Sequence, residues 1–234
     1  MYMKRILLLT VVALLITIGA KAQVFKGMVI GGFNLTQVDG DEVYGFDRIG
    51  ANIGAGVFVP IDNNWGLSME TLFTMKGSYQ GDQYLLSDSL GNRLTGSYDL
   101  RLNYVEIPLL IHYNDRDRIT VGVGFSYARL VGVTEKEHGV EITSTTVKDG
   151  PYKTSDYSLL ADVRLRIYKS LLLNVRYCYS LAKIRTRDFY NVDGVYLRTR
   201  EQYNNTISVR FIWMFNDLGL TLSNVKKANP TLEK

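Results

Sequence analysis

The sequence predicts an all-β protein, an eight-stranded antiparallel up-and-down transmembrane barrel with short periplasmic turns and long extracellular loops. Three observations lead there. Residues of alternating character recur in runs of about ten. The connections between these runs alternate long and short. The face opposite the oily one is built from glycine, serine and charged residues rather than from solvent-loving residues alone.

The clearest run is Ile119 to Leu130. Ile119, Val121, Val123, Phe125 and Tyr127 fall on one face, and Thr120, Gly122, Gly124, Ser126 and Ala128 on the other. It pairs with the run around Val105, Ile107, Leu109 and Ile111 across the polar turn Asn114 to Arg118. Before them come a first strand near Phe25 to Thr36, a second at Arg48 to Val59 and a third at Trp65 to Gln80. After them come a sixth placing Tyr157 to Ile167 outward, a seventh at Leu171 to Ser180, and an eighth carrying Ile207, Val209, Phe211, Trp213 and Phe215. Pro60 to Asn64 and Tyr168 to Ser170 are tight turns. Gln37 to Asp47, Gly81 to Ser97, Thr134 to Thr154 and Lys183 to Tyr203 are the long loops. Leu100, Leu102 and Tyr104 share the parity of the polar face, which predicts a bulge near Tyr104 or a strand leaving the membrane there.

Alternation alone leaves inside and outside interchangeable. Residue size separates them. Gly50, Gly54, Gly56, Gly122 and Gly124 make room for long charged side chains only if they face the lumen, and Trp65, Tyr79, Tyr127, Tyr157 and Trp213 then form girdles at the membrane surfaces.

The first 22 residues carry Lys4 and Arg5, an apolar run from Ile6 to Ile18, and Ala20-Lys21-Ala22. This is the pattern of a cleaved export signal, too short for the roughly 20 residues of a membrane span. The barrel is expected over 23–215, and 216–234 as a periplasmic tail. Losing the leader lowers the formal charge from +4 to +1, which removes support for a nucleic-acid partner. Cys178 is the single cysteine, so no internal disulfide forms; it reads as a small inward core residue.

Glu70, Lys76, Glu106, Asp162, Arg164, Arg166, Arg176 and Arg210 are expected to point inward as a salt-bridge network, because carboxylates and guanidinium groups in a narrow lumen must pair. Eight strands leave little space for water, so this network is read as a plug. His112 lies at the periplasmic end of its strand, and His138 reads as a solvated loop residue. Neither has a second ligand at metal spacing, so no metal, cofactor or catalytic activity is expected. Asn204-Asn205-Thr206 matches a glycosylation sequon but reads as packing at a strand start.

The export signal ending at Gln23, Ile30-Gly31-Gly32-Phe33-Asn34, Tyr104-Val105-Glu106-Ile107-Pro108-Leu109-Leu110 and Val121-Gly122-Val123-Gly124 together resemble the PorT-like outer-membrane β-barrel family of Bacteroidetes. The resemblance implies an eight-stranded barrel in the outer membrane, without an assigned activity for most members. The function expected is structural or interaction-based: a monomer embedded in outer-membrane lipid, with protein partners reached through external loops, where Tyr84, Tyr152, Tyr190 and Tyr196 sit, or through the tail. A small gated channel and an accessory of an outer-membrane secretion machine are the alternatives.

Overall fold

In the computed structural model, the described residues are 25–87, 91, 93–116, 118–190 and 195–215. The expected leader, 1–22, and tail, 216–234, lie outside them. The strands are β1 (Lys26–Asp39), β2 (Arg48–Pro60), β3 (Trp65–Gln80), β4 (Leu86–Ser87), β5 (Arg93–Leu94), β6 (Tyr98–Asp115), β7 (Ile119–Glu137), β8 (Val140–Glu141), β9 (Ser155–Tyr168), β10 (Leu171–Ser180), β11 (Arg185–Tyr190) and β12 (Tyr196–Met214). Eight of them, β1, β2, β3, β6, β7, β9, β10 and β12, pair in sequence. The ring closes where β1 meets β12 antiparallel, from Met28 opposite Met214 to Asp39 opposite Tyr203. Closure leaves no exposed edge around the wall, which is what hydrocarbon demands of a strand-built span.

Side chains obey the period of two. Val29, Ile53, Phe73, Ile107, Val123, Leu159, Val175 and Phe211 are exposed on the outer wall, one or more from every strand of the ring. Two glycines leave room for a ring carried by the neighbouring strand. A Cβ on Gly66 would sit 2.2 Å from the Phe58 ring, and one on Gly122 2.4 Å from the His112 ring. Both glycines hollow the wall so that a large inward side chain fits.

The oily residues of β6 require a correction. The expected bulge near Tyr104 is present, on the partner strand, while the strand does not leave the barrel: Leu100, Leu102 and Tyr104 point inward and are fully buried. With Val38, Val43, Tyr98, Leu130, Tyr152 and Ile184 they form an apolar layer near the long-loop end. The bulge is on β7. Asn103 opposes Gly132 while Tyr104 opposes Leu130, so Val131 is the extra residue. Beyond it the parity of β7 reverses, and Glu135, an odd-numbered residue, is buried inside. A second apolar cluster, Met28, Ile30, Phe58, Leu72, Leu172, Ile212 and Met214, lies towards the tight-turn end.

The long loops carry more strand than their composition predicts. β12 begins at Tyr196 rather than near Ile207, and its first residues pair with β11 as a ribbon above the ring. Short pairings β4–β5 and β7–β8 shape two other loops. Turn residues such as Gly and Asn mark where a chain bends, but do not reveal that a hairpin has resumed beyond the membrane.

Candidate functional site: the filled lumen and its external cap

Strand parity and distance from the tight turns bring five of the expected residues together. Arg176, on β10, donates Nη1 to Glu70 Oε2 at 3.0 Å and Nη2 to Glu70 Oε1 at 2.9 Å, a two-pronged pairing. Its Nη2 also lies 2.8 Å from Asp162 Oδ2. Arg164 reaches Glu70 at 3.0 Å and Asp162 at 3.4 Å, and Arg210 reaches Glu70 at 3.2 Å. Arg210 also donates to Asn174 Oδ1 at 2.8 Å, which adds an uncharged acceptor where guanidinium groups crowd. All five charged side chains are buried.

Lys76 and Glu106 belong to a separate cluster. Lys76 Nζ lies 3.4 Å from Glu106 and 3.2 Å from Asp156, whose other oxygen accepts from Ser180 at 2.6 Å. Asp156, absent from the expected network, is therefore a member. The first cluster holds one excess positive charge and the second one excess negative charge, so the two balance. Cys178 is buried beside Lys76, with Sγ 3.9 Å from Nζ. Arg166 is the correction among the expected residues: it stands apart at the β9–β10 turn, where its guanidinium donates to the Lys169 carbonyl. It shares the inward parity but lies too close to the turn to reach the acids.

His112 is not at an open rim. Its Nε2 is 2.7 Å from Ser68 Oγ and its Nδ1 is 3.5 Å from Asp162 Oδ1. The order Ser-His-Asp has the look of a nucleophile and its base. However, Arg164 donates to the same Ser68 oxygen at 3.3 Å, the Phe58 ring packs 5.7 Å from the imidazole, and all three residues are buried. The three side chains link strands β3, β6 and β9 inside the wall.

At the other end, Glu135 ties the cap down. It accepts from Tyr98 Oη, Thr145 Oγ1 and Arg185 Nη1, each at 2.7 Å. Arg185 also donates to Tyr152 Oη at 2.8 Å and stacks 4.9 Å from that ring. Tyr152 is a further correction: only 3% exposed, it belongs to the cap rather than to a contact surface, and burial pushes its phenol up to about 12. Burial works against the charge of the Arg185 guanidinium, yet Tyr152 and Glu135 together hold it above its ordinary value. Glu135 reads from sequence as part of the loop Thr134 to Thr154, whereas β7 runs on to Glu137 and, past the bulge at Val131, turns it inward. His138 likewise departs from a freely solvated residue: its Nδ1 accepts the main-chain N–H of Thr95 at 3.2 Å and of Gly96 at 3.0 Å. Asn204 of the sequon is buried and donates to Asp156 at 2.9 Å.

A closed ring of eight strands, oily outside and paired by charge within, defines an integral β-barrel membrane protein. The model of the outer membrane protein beta-barrel domain family matches residues 22–185, and the chain belongs to that family. It is thus an outer-membrane protein, with tight turns towards the periplasm and long loops outside. Among solved structures, it is similar to the attachment invasion locus protein Ail of Yersinia pestis, solved with the heparin analogue sucrose octasulfate. That match has 12% identity, 82% of this chain and 98% of that one covered, and a TM-score of 0.44. It is also similar to Neisserial surface protein A, with 12% identity, coverage of 82% and 97%, and a TM-score of 0.47. OprG of Pseudomonas aeruginosa matches with 11% identity, coverage of 82% and 97%, and a TM-score of 0.40. Comparison with curated proteins gave no match.

Proposed function

We propose that this protein is a sealed, non-enzymatic outer-membrane scaffold whose rigid barrel presents its external loops for contacts. One observation carries the reading: Glu70 is held by three arginines within 3.2 Å, between an apolar layer above and an apolar cluster below. Such a lumen conducts only if several buried ion pairs part together, at a cost of several kcal/mol for each charge left alone. The barrel is exported by a leader cleaved before Gln23, and the Tyr104–Leu109 stretch supports kinship with PorT-like barrels.

Planar-bilayer recording on the refolded protein tests the sealed lumen. No reproducible unitary current is expected. Currents altered by Arg176→Ala would instead establish a gated channel. Mass measurement of the membrane-extracted chain is expected to give an N-terminus at Gln23.

A further inference from the structure

On the outer face of β7, Ile119, Val121, Val123, Phe125 and Tyr127 follow one another as exposed apolar or aromatic residues, and the next outward residue is an exposed cation, Arg129. From Ile119, ten steps of about 3.3 Å along a strand tilted by about 40° put Arg129 about 25 Å above the tight turn. That is the height of the apolar band of an outer-membrane barrel. Arg129 therefore stands at the upper edge of the band, level with the headgroups of the outer leaflet.

The groups around Arg129 decide what it meets. Ser155 stands directly opposite on β9, and its Oγ lies 3.4 Å from both Arg129 Nη1 and Tyr127 Oη. Both contacts are long, so a guanidinium and two hydroxyls keep donor capacity for a stronger acceptor. Among the described residues Arg129 has no carboxylate partner. Asp156, next along β9, is turned inward and holds Lys76 and Ser180. Higher on the same sector, Arg101 of β6 is half exposed and shares Asp99 with Arg48, at 3.1 and 2.6 Å, so one carboxylate serves two guanidinium groups. Arg129 opposes Val105 and Arg101 lies four residues further along β6, a separation of about 13 Å. The far side of the ring differs. At the β1–β12 seam the rim carries Asp39, which accepts from Gln37 at 2.8 Å and from Asn205 at 3.3 Å. Donors gathered without an acid suit an anion, and at this depth the anion at hand is a lipid phosphate.

We infer that Arg129, with the Ser155 and Tyr127 hydroxyls, binds a phosphate of lipid A in the outer leaflet, while Arg101 meets acidic groups on the sugar head of the same glycolipid. The guanidinium fork suits the paired oxygens of a phosphate monoester. The Tyr127 and Tyr157 rings, 5.4 Å apart, lie just below and seat the upper ends of its acyl chains. One lipid neighbour is thereby fixed against the sector from β6 to β9, and none against the Asp39 side. This rests on the long loops facing outside, and not on the lumen being sealed.

Native mass spectrometry of the full-length, detergent-folded protein titrated with lipid A tests the proposal. Saturable binding of one lipid A per chain is expected. Arg129→Ala should weaken it roughly tenfold. Arg129→Lys, which keeps the charge and loses the fork, should weaken it about threefold, and Arg101→Ala by a similar factor. Lys183→Ala, which removes an exposed cation paired with Glu201 on the β10–β12 side, should leave it unchanged. Lipid A stripped of its phosphates, and phosphatidylglycerol, whose phosphate is a diester, should each bind roughly tenfold more weakly than lipid A. Each variant must keep the heat-dependent gel shift of a folded barrel. The proposal is overturned if Arg129→Ala binds as the unaltered chain does, if Lys183→Ala loses as much, or if stripped lipid A or phosphatidylglycerol binds as tightly as lipid A.

Discussion

The Glu70 cluster and the Glu135 clasp use the same chemistry, a carboxylate held by arginine and polar hydrogens, in opposite settings. Around Glu70, every partner comes from a strand of the closed ring and is buried. Around Glu135, Arg185 comes from β11 and Thr145 and Tyr152 from a loop, while the Arg185 side chain retains 14% exposure. The difference teaches where stability and adaptability are placed. Ring strands cannot move singly without breaking ladders on both sides, so charge burial there fixes one structure. Loop partners can separate while the ring stays whole, so the same pairing there sets the shape of a surface.

Glu70→Ala gives the sharpest contrast. It leaves three buried arginines with Asp162 as their main counter-charge, and about 3–5 kcal/mol of barrel stability should be lost. Urea titration followed by the heat-dependent gel shift measures this, and an unchanged midpoint would dissolve the distinction between the regions. Gly122→Val pushes side-chain atoms into His112 and Asp162 without altering any charge. It should cost about 1–3 kcal/mol by the same assay, showing how much of the rigidity is packing alone.

At the external end, Asp41 supplies a pH-dependent comparison. Burial raises its carboxyl from the ordinary 3.8 to about 6, although Ser78 and the Val43 N–H both donate to it. Between these values the folded loop retains a proton that the unfolded one has released, so loop stability falls as pH rises through about 4 to 6 and stays reduced above. Asp41→Asn should remove that dependence and steady the loop by about 1–2 kcal/mol at pH 7, read as slower amide exchange around Val43. Glu135→Gln should have the smallest effect on the barrel, about 1 kcal/mol or less by urea titration. It should nevertheless speed proteolysis within 138–154 and 181–190, because Arg185 loses its charged partner. Equal urea sensitivity of Glu135→Gln and Glu70→Ala would show both networks to be one structural unit.

Much of this organisation was legible in the residues. The period of two set the faces, and the small size of Gly122, Gly124 and Ser126 against Val123 and Phe125 set which face looks inward. The meeting of Glu70, Asp162, Arg164, Arg176 and Arg210 followed from parity and distance from the turns. Depth was less accessible, because strands tilt around a barrel and residues counted to the same height are displaced along it. Glu106 consequently joins Lys76 and Asp156 rather than Glu70, and Arg166 donates to the Lys169 carbonyl at the β9–β10 turn. Leu100, Leu102 and Tyr104 were misjudged for a different reason. An oily inward face contradicts the rule for a watery lumen, but suits one closed by side chains. Glu135 was hidden because its polar surroundings read as a loop, while β7 continues through it beyond an irregularity that leaves no mark in composition.

That irregularity at Val131 acts as a gear between two registers. Below it, the wall of β7 follows the bilayer; above it, the same chain is half a step out of phase and turns an acid over the mouth instead of towards lipopolysaccharide. Excising one residue there would re-phase the upper strand and swing Glu135 outward. The loops would lose their anchor with no side chain in the bilayer having changed, so one peptide unit separates a capped barrel from an open-topped one.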